Sequence, residues 1–107
     1  MNVSVGELRH KVTVQKPITV SDAGYESVSY TDVATVWASI APLKGREFWT
    51  AKQIASTVTH RVIIRYRSDV SANYRILFGS RVFDIETVRN IDERGRWLVM
   101  ECIERTT

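Results

Sequence analysis

Apolar and polar residues alternate in steps of two along most of this chain. Leu8, His10, Val12 and Val14 share one parity, with Glu7, Arg9, Lys11 and Thr13 on the other. That is the pattern of a strand with one face in a core and one in water. Ser21-Asp22-Ala23-Gly24 then supplies turn chemistry ahead of a Ser/Thr/Tyr/Val-rich segment. Val36–Leu43, His60–Arg67, Tyr74–Phe78, Arg81–Val88 and Trp97–Ile103 read as further strands, separated by turn signals at 68–73, 79–80 and 90–95. The pattern predicts a mainly β fold, a small antiparallel barrel or sandwich of about six to seven strands.

One stretch departs from the two-residue period. From Arg46 to about Thr57 the apolar residues Phe48, Ala51, Ile54, Ala55 and Val58 fall on one arc of a helical wheel, so one short helix is expected in this inter-strand insertion. Trp49 lies on the opposite, polar arc beside Lys52 and Gln53, where an aromatic anchor for a partner is the functional reading and folding back over the domain edge the structural one.

A chain of 107 residues fits one domain, residues 1–107, and its 44% apolar and 25% charged content is that of a folded globular protein. The single cysteine, Cys102, excludes an internal disulfide, and no signal-peptide pattern opens the chain, so folding in a reducing cytoplasm is expected. No apolar run approaches the roughly 18 residues of a membrane span, and no membrane association is expected.

The net charge of +3 is too mild to imply nucleic-acid binding, but its distribution is uneven. Arg61, Arg65, Arg67, Arg75 and Arg81 share their stretch with one acid, Asp69, whereas Val82 to the end carries four arginines and six acids. Adjacent basic and acidic stretches suit self-association as readily as a polyanion.

Candidate chemistry is sparse. His10 and His60 lack a second ligand at metal spacing and read as structural histidines. Cys102 shares its parity with Leu98 and Met100 and reads as a buried thiol. Asp84 and Glu86 alternate with Phe83 and Ile85 and read as a solvated strand face. With no Gly-rich phosphate loop, GxSxG or HExxH, neither enzyme activity nor a cofactor is expected. On the strand His60–Arg67, Val62, Ile64 and Tyr66 are expected in the core, leaving Arg61, Ile63, Arg65 and Arg67 outside, either solvated or as a partner surface.

Five segments together carry a resemblance: GELRHKVTVQK (6–16), DAGY (22–25), VWASIAPLKGRE (36–47), THRVIIRYRSDV (59–70) and RVFDIETVRNIDERGRWLVMECIE (81–104). In this order, over nearly the whole chain, they resemble the head–tail joining, or head-closure, proteins of long-tailed bacteriophages. Many relatives carry tryptophan at the position of Tyr30. The resemblance implies a β-barrel with a mobile insertion, here residues 42–58. It implies a structural protein of the virion neck, assembled in the host cytoplasm as a homo-oligomeric ring of about twelve copies. The ring's partners would be the portal or its adaptor on the head side, a tail-completion or terminator protein on the tail side, and packaged DNA, retained in the channel.

In that setting the arginine stretch is expected to meet Asp92, Glu93, Glu101 and Glu104 of the next copy. Lys44, Arg46 and Lys52 are expected to face DNA, and Trp49 a neighbouring subunit. The competing class is an OB-like single-stranded nucleic-acid-binding barrel, in which the arginine strand, Tyr66 and Tyr74 supply charge and stacking.

Overall fold

The computed structural model of the protein describes residues 5–43 and 58–105. These residues form six antiparallel strands: β1 (His10–Asp22), β2 (Tyr25–Pro42), β3 (His60–Arg65), β4 (Arg75–Phe78), β5 (Arg81–Asn90) and β6 (Trp97–Arg105). Single 3-10 turns lie at Val5–Glu7 and Ile91–Glu93. The strands pair in the order β1-β2-β3-β6-β5-β4 and close into a barrel, so the mainly β expectation holds in its barrel form. The expected helix and nearly all of the 42–58 insertion lie outside the described residues.

Closure works because each strand presents one parity inward. The core gathers Val12 and Val14 of β1, Ala38 of β2, Val62 and Ile64 of β3, Ile76 of β4, Phe83 and Ile85 of β5, and Leu98, Met100 and Cys102 of β6. Val70, from the β3–β4 connection, plugs one end. Full burial of side chains of this size contributes about 1.5–3 kcal/mol each.

Two irregularities keep the parity correct as the sheet curls. On β5 the pairing shifts between Ile85 and Thr87, leaving Glu86 as the extra residue, so that Ile85 and Val88 both pack on the core. On β2 the shift between Val14 and Gln15 of its partner leaves Val33 extra. Such bulges bend a strand and increase its twist, as a small closed barrel requires.

Three details differ from the sequence expectation. The polar Ser/Thr/Tyr/Val segment and Val36–Leu43 are one continuous strand, β2, of 18 residues. Tyr66 is exposed, because β3 ends at Arg65 and the alternation ends with it. Ile63 points outward as expected but is buried within the chain, together with its cross-strand partner Val99.

The β1–β2 turn is the two-residue loop Ala23-Gly24, closed by the Asp22–Tyr25 pair, and both loop residues have positive φ (51° and 85°). This is the type I′ signature, whose twist matches a hairpin. Glycine adopts it freely. Ala23 does not, and a left-handed conformation at a residue bearing Cβ costs about 1–2 kcal/mol. Ala23→Asn is expected to stabilise the hairpin by about 0.5–1 kcal/mol. The measurement is amide hydrogen exchange across Pro17–Tyr30, with protection rising about two- to fivefold while the barrel amides stay unchanged.

Candidate functional site

Beyond the barrel, β1 and β2 continue as a bare ribbon. The last β1–β4 pair is Gln15–Arg75, whereas β1–β2 pairing runs on from Lys16–Thr31 to Asp22–Tyr25. At about 3.3 Å per residue those seven pairs project roughly 20 Å. The molecule is accordingly elongated, 50 × 27 × 26 Å. The arm carries exposed Ile18, Val20, Tyr25 and Val28, with Tyr25 80% exposed at its tip. From Pro17 to Tyr30 it holds Asp22 and Glu26 and no lysine or arginine.

A second surface lies on the barrel wall. Lys11 pairs with Trp37 and Arg65 with Trp97, all on the outward parity, and Trp37 stands one step beyond the Ala38–Ile64 pair. The Arg65 guanidinium sits 5.6 Å from the Trp97 ring centre, a cation–π geometry. Tyr66 donates its backbone N–H to the Arg96 carbonyl, 3.0 Å away. Leu8, Val36, Trp37, Arg65, Tyr66 and Arg67 line a cleft of about 370 Å³, and Trp37 is 54% exposed. Arg67 is paired with Asp69 through two 2.9 Å hydrogen bonds. No such carboxylate reaches Arg65 among the described residues.

Several of the remaining charges are paired within the chain. Glu101 is buried on the outer face of β6, opposite Arg61, and accepts a 2.9 Å bond from Arg89. Asp84 takes a two-pronged contact from Arg105 at 2.9–3.2 Å. A polar belt runs from Asp32 through Gln15 to Arg75, each link 2.7 Å, and Arg75 lies 3.7 Å from the centre of the Tyr30 ring. An aromatic at position 30 therefore has a defined task, covering the arginine beside the seam that closes the barrel.

At one barrel end His60, Phe83, Arg81 and Glu104 form a cluster. Arg81 donates to Glu104 at 2.7 and 3.1 Å, and the His60 and Phe83 rings meet edge-to-face at 5.0 Å. Thr59 Oγ1 donates to the Cys102 carbonyl, so the 2.9 Å contact from His60 Nδ1 has the imidazole donating. The Nε2 lone pair then faces the Arg81 guanidinium, 3.5 Å away. Desolvation lowers the His60 pKa from its ordinary value; Glu104 opposes this shift and Arg81 adds to it. Hydrogen bonding to Arg81 in turn lowers that of Glu104.

Of the residues singled out from sequence, the structure thus brings Arg65 and Arg67 together at the cleft. It buries Ile63 and commits Glu101 and Glu104 to arginines of their own chain. Glu93 is exposed on the 3-10 turn that also contains Asp92. Trp49, Lys44, Arg46 and Lys52 lie outside the described residues. Trp37 and the arm were not singled out, although Val36–Trp37 and Tyr25 stand within the recognised segments. Burial pushes the Cys102 thiol pKa well up, with Asp84, Glu101 and Glu86 adding to it, which leaves a protonated, enclosed sulfur. No group of His, Cys, Asp and Glu suited to a metal occurs among the described residues.

The sequence profile of the phage head completion proteins matches residues 3–105. The chain belongs to this family, a family of structural virion proteins. Among solved structures it is similar to protein SF1141 from Shigella flexneri 2a, with a TM-score of 0.78 and 28% identity, covering 95% of this chain and 96% of that one. It shares its fold with a chain of the virion of a native gene transfer agent particle, with a TM-score of 0.65 and 19% identity, covering 94% and 97%. No curated protein matches the chain. As a phage head completion protein, it is a structural component of the virion.

The barrel-end cluster makes stability depend on pH with a definite sign. His60 binds its proton more weakly folded than unfolded, where it titrates near 6.5, so the unfolded state takes up more protons as pH falls. The His60 contribution is full above the unfolded value and is lost as pH falls through the lower folded one. Lowering the pH from about 7.5 to about 5.5 is expected to lower Tm, and His60→Gln to flatten that slope. Thermal melts of both proteins across the window check this, since the Arg81-paired Glu104 titrates lower still.

Proposed function

We propose that this head completion protein assembles as a homo-oligomeric ring in the neck, docked on the portal or its adaptor, where it receives the tail-completion protein and helps retain packaged DNA. The observation that carries the reading is the family match over residues 3–105, on a chain whose described residues group no metal ligands and hold their one thiol buried. Its role is structural and not catalytic. The fold suits a ring: a rigid closed barrel presents one patch on a projecting arm and a different patch on its wall, as a heterologous contact requires. Lys44, Arg46 and Lys52 toward DNA, and Trp49 toward a neighbour, belong to this proposal on sequence grounds.

The exposed Glu93 and its neighbour Asp92 remain candidates for the acidic side of an inter-subunit contact with Arg61, Arg65 and Arg67. Arg61 sits opposite buried Glu101, so its reversal would disturb the fold, and Arg65 is the cleaner probe.

The test is co-sedimentation of the purified protein with DNA-filled, tailless capsids, reading both binding and DNA leakage. Binding with slower leakage is expected, and Arg65→Glu is expected to weaken it at unchanged Tm. A specific observation favours a second reading, the basic aromatic cleft around Trp37, Arg65 and Tyr66, which is the composition of a single-strand-binding surface. Failure to bind capsids, together with tight and strongly salt-dependent binding of single-stranded oligonucleotide, would replace the neck reading with that one.

A further inference from the structure

The six large apolar side chains exposed among the described residues fall in two places. Ile18, Val20, Tyr25 and Val28 line the arm, and Trp37 and Tyr66 flank the wall cleft. The two patches are opposite in charge: the only charges of the arm between Pro17 and Tyr30 are acidic, and the cleft carries Arg65, with Lys11 and Arg96 on adjoining positions and Arg67 beside it held by Asp69. We infer that the arm of one copy inserts its tip, led by Tyr25, into the Trp37–Tyr66 cleft of the next copy, so that Asp22, the cross-strand partner of Tyr25 on the same face of the ribbon, meets the arginine side of that cleft.

This deepens the ring proposal and rests on it. A single chain cannot satisfy both patches by itself, because its arm runs outward from the barrel and accounts for the long dimension of the molecule. The contact joins unlike patches, so it repeats from copy to copy, as the proposed ring requires. Each patch is matched in kind. Tyr25 and Val20, on one face of the ribbon, bring apolar area to Trp37 and Tyr66, and Arg65, already over the Trp97 ring, has its charge available to a carboxylate. The arm also brings two strand edges that pair with no other described strand, and such edges extend by backbone hydrogen bonding when a neighbour lies alongside. One ribbon in one cleft is a small interface, below the roughly 1,200 Å² of stable pairs. Free copies therefore stay separate, and the contact forms where a template holds the copies side by side.

The experiment uses particles assembled with the double variant Tyr25→Cys/Trp37→Cys, treated with a short bismaleimide and resolved on a denaturing gel. Both positions are exposed, and buried Cys102 does not compete for the reagent. The expected result is a ladder of covalent multimers, absent from either single-cysteine variant. A ring seen in the neck by electron microscopy with monomer alone on the gel would overturn this inference and leave the ring standing. Absence of any ring from wild-type particles would overturn both. Shielding of a cysteine at position 37 by single-stranded DNA, again without a ladder, would overturn it in favour of a nucleic-acid surface.

Charge reversal supplies a reading independent of the cysteines. Asp22→Lys and Arg65→Glu are each expected to lower the yield of joined particles by about tenfold, and the two together in one chain to restore it, because like charges across a contact are strongly disfavoured. Unchanged yield in both single variants would overturn the inference.

Discussion

Closure of the sheet rests on a short seam. β4 meets β1 through three residue pairs, Thr13–Leu77, Val14–Ile76 and Gln15–Arg75, whereas β1 and β2 pair along thirteen positions. Without those three pairs the described sheet would be an open ribbon of six strands with two free edges. The seam is protected on both faces. Val14 and Ile76 are fully buried inside, and outside Gln15 bridges Asp32 and Arg75 while Tyr30 covers the guanidinium. A bulge in β2 sits at this level, where the pairing shifts by one residue. The same brevity of β4 sets the length of the arm: beyond Gln15 no third strand is there to receive β1.

Much of this was legible in the sequence, and what was not has identifiable causes. Two-residue alternation located β1 and β3 to β6 because each has one dry face. It divided β2, since Ser27, Ser29, Thr31 and Asp32 belong to a segment with little core to face and so show no amphipathic period. Tyr66 was assigned inward by extending parity one residue past the end of the β3 ladder. The strand order was not legible, because β3 pairs with β6 and β1 with β4 across long stretches of chain that no local pattern reports. The recognised segments located the family correctly, and the profile match covers nearly the same span.

The candidate surfaces were less legible than the fold. A charge count along the chain sees Glu101 and Glu104 as an acidic stretch available to a neighbour. In three dimensions antiparallel pairing lays β6 beside β5, and Arg89 and Arg81 neutralise those two carboxylates locally. Among the described residues the acids of the arm and Arg65 at the cleft are in no such ion pair. Tyr25 stands inside a recognised segment, directly after the turn residues Ser21-Asp22-Ala23-Gly24, and the sequence assigns it no role of its own. Its 80% exposure at the tip of the ribbon is the observation from which the proposed contact starts.

The arm also separates two kinds of stability in one small chain. Every barrel strand is flanked by two others over at least part of its length, so the barrel unfolds as a unit. The ribbon beyond Gln15 has only its own two strands and a strained turn to hold it, and isolated hairpins are marginal in water. It therefore opens and recloses while the barrel stays intact. A melting curve registers the barrel and is blind to the arm. Among the described residues of the free protein, the segment with most of the exposed large apolar side chains is also the first that a protease or a solvent deuteron reaches.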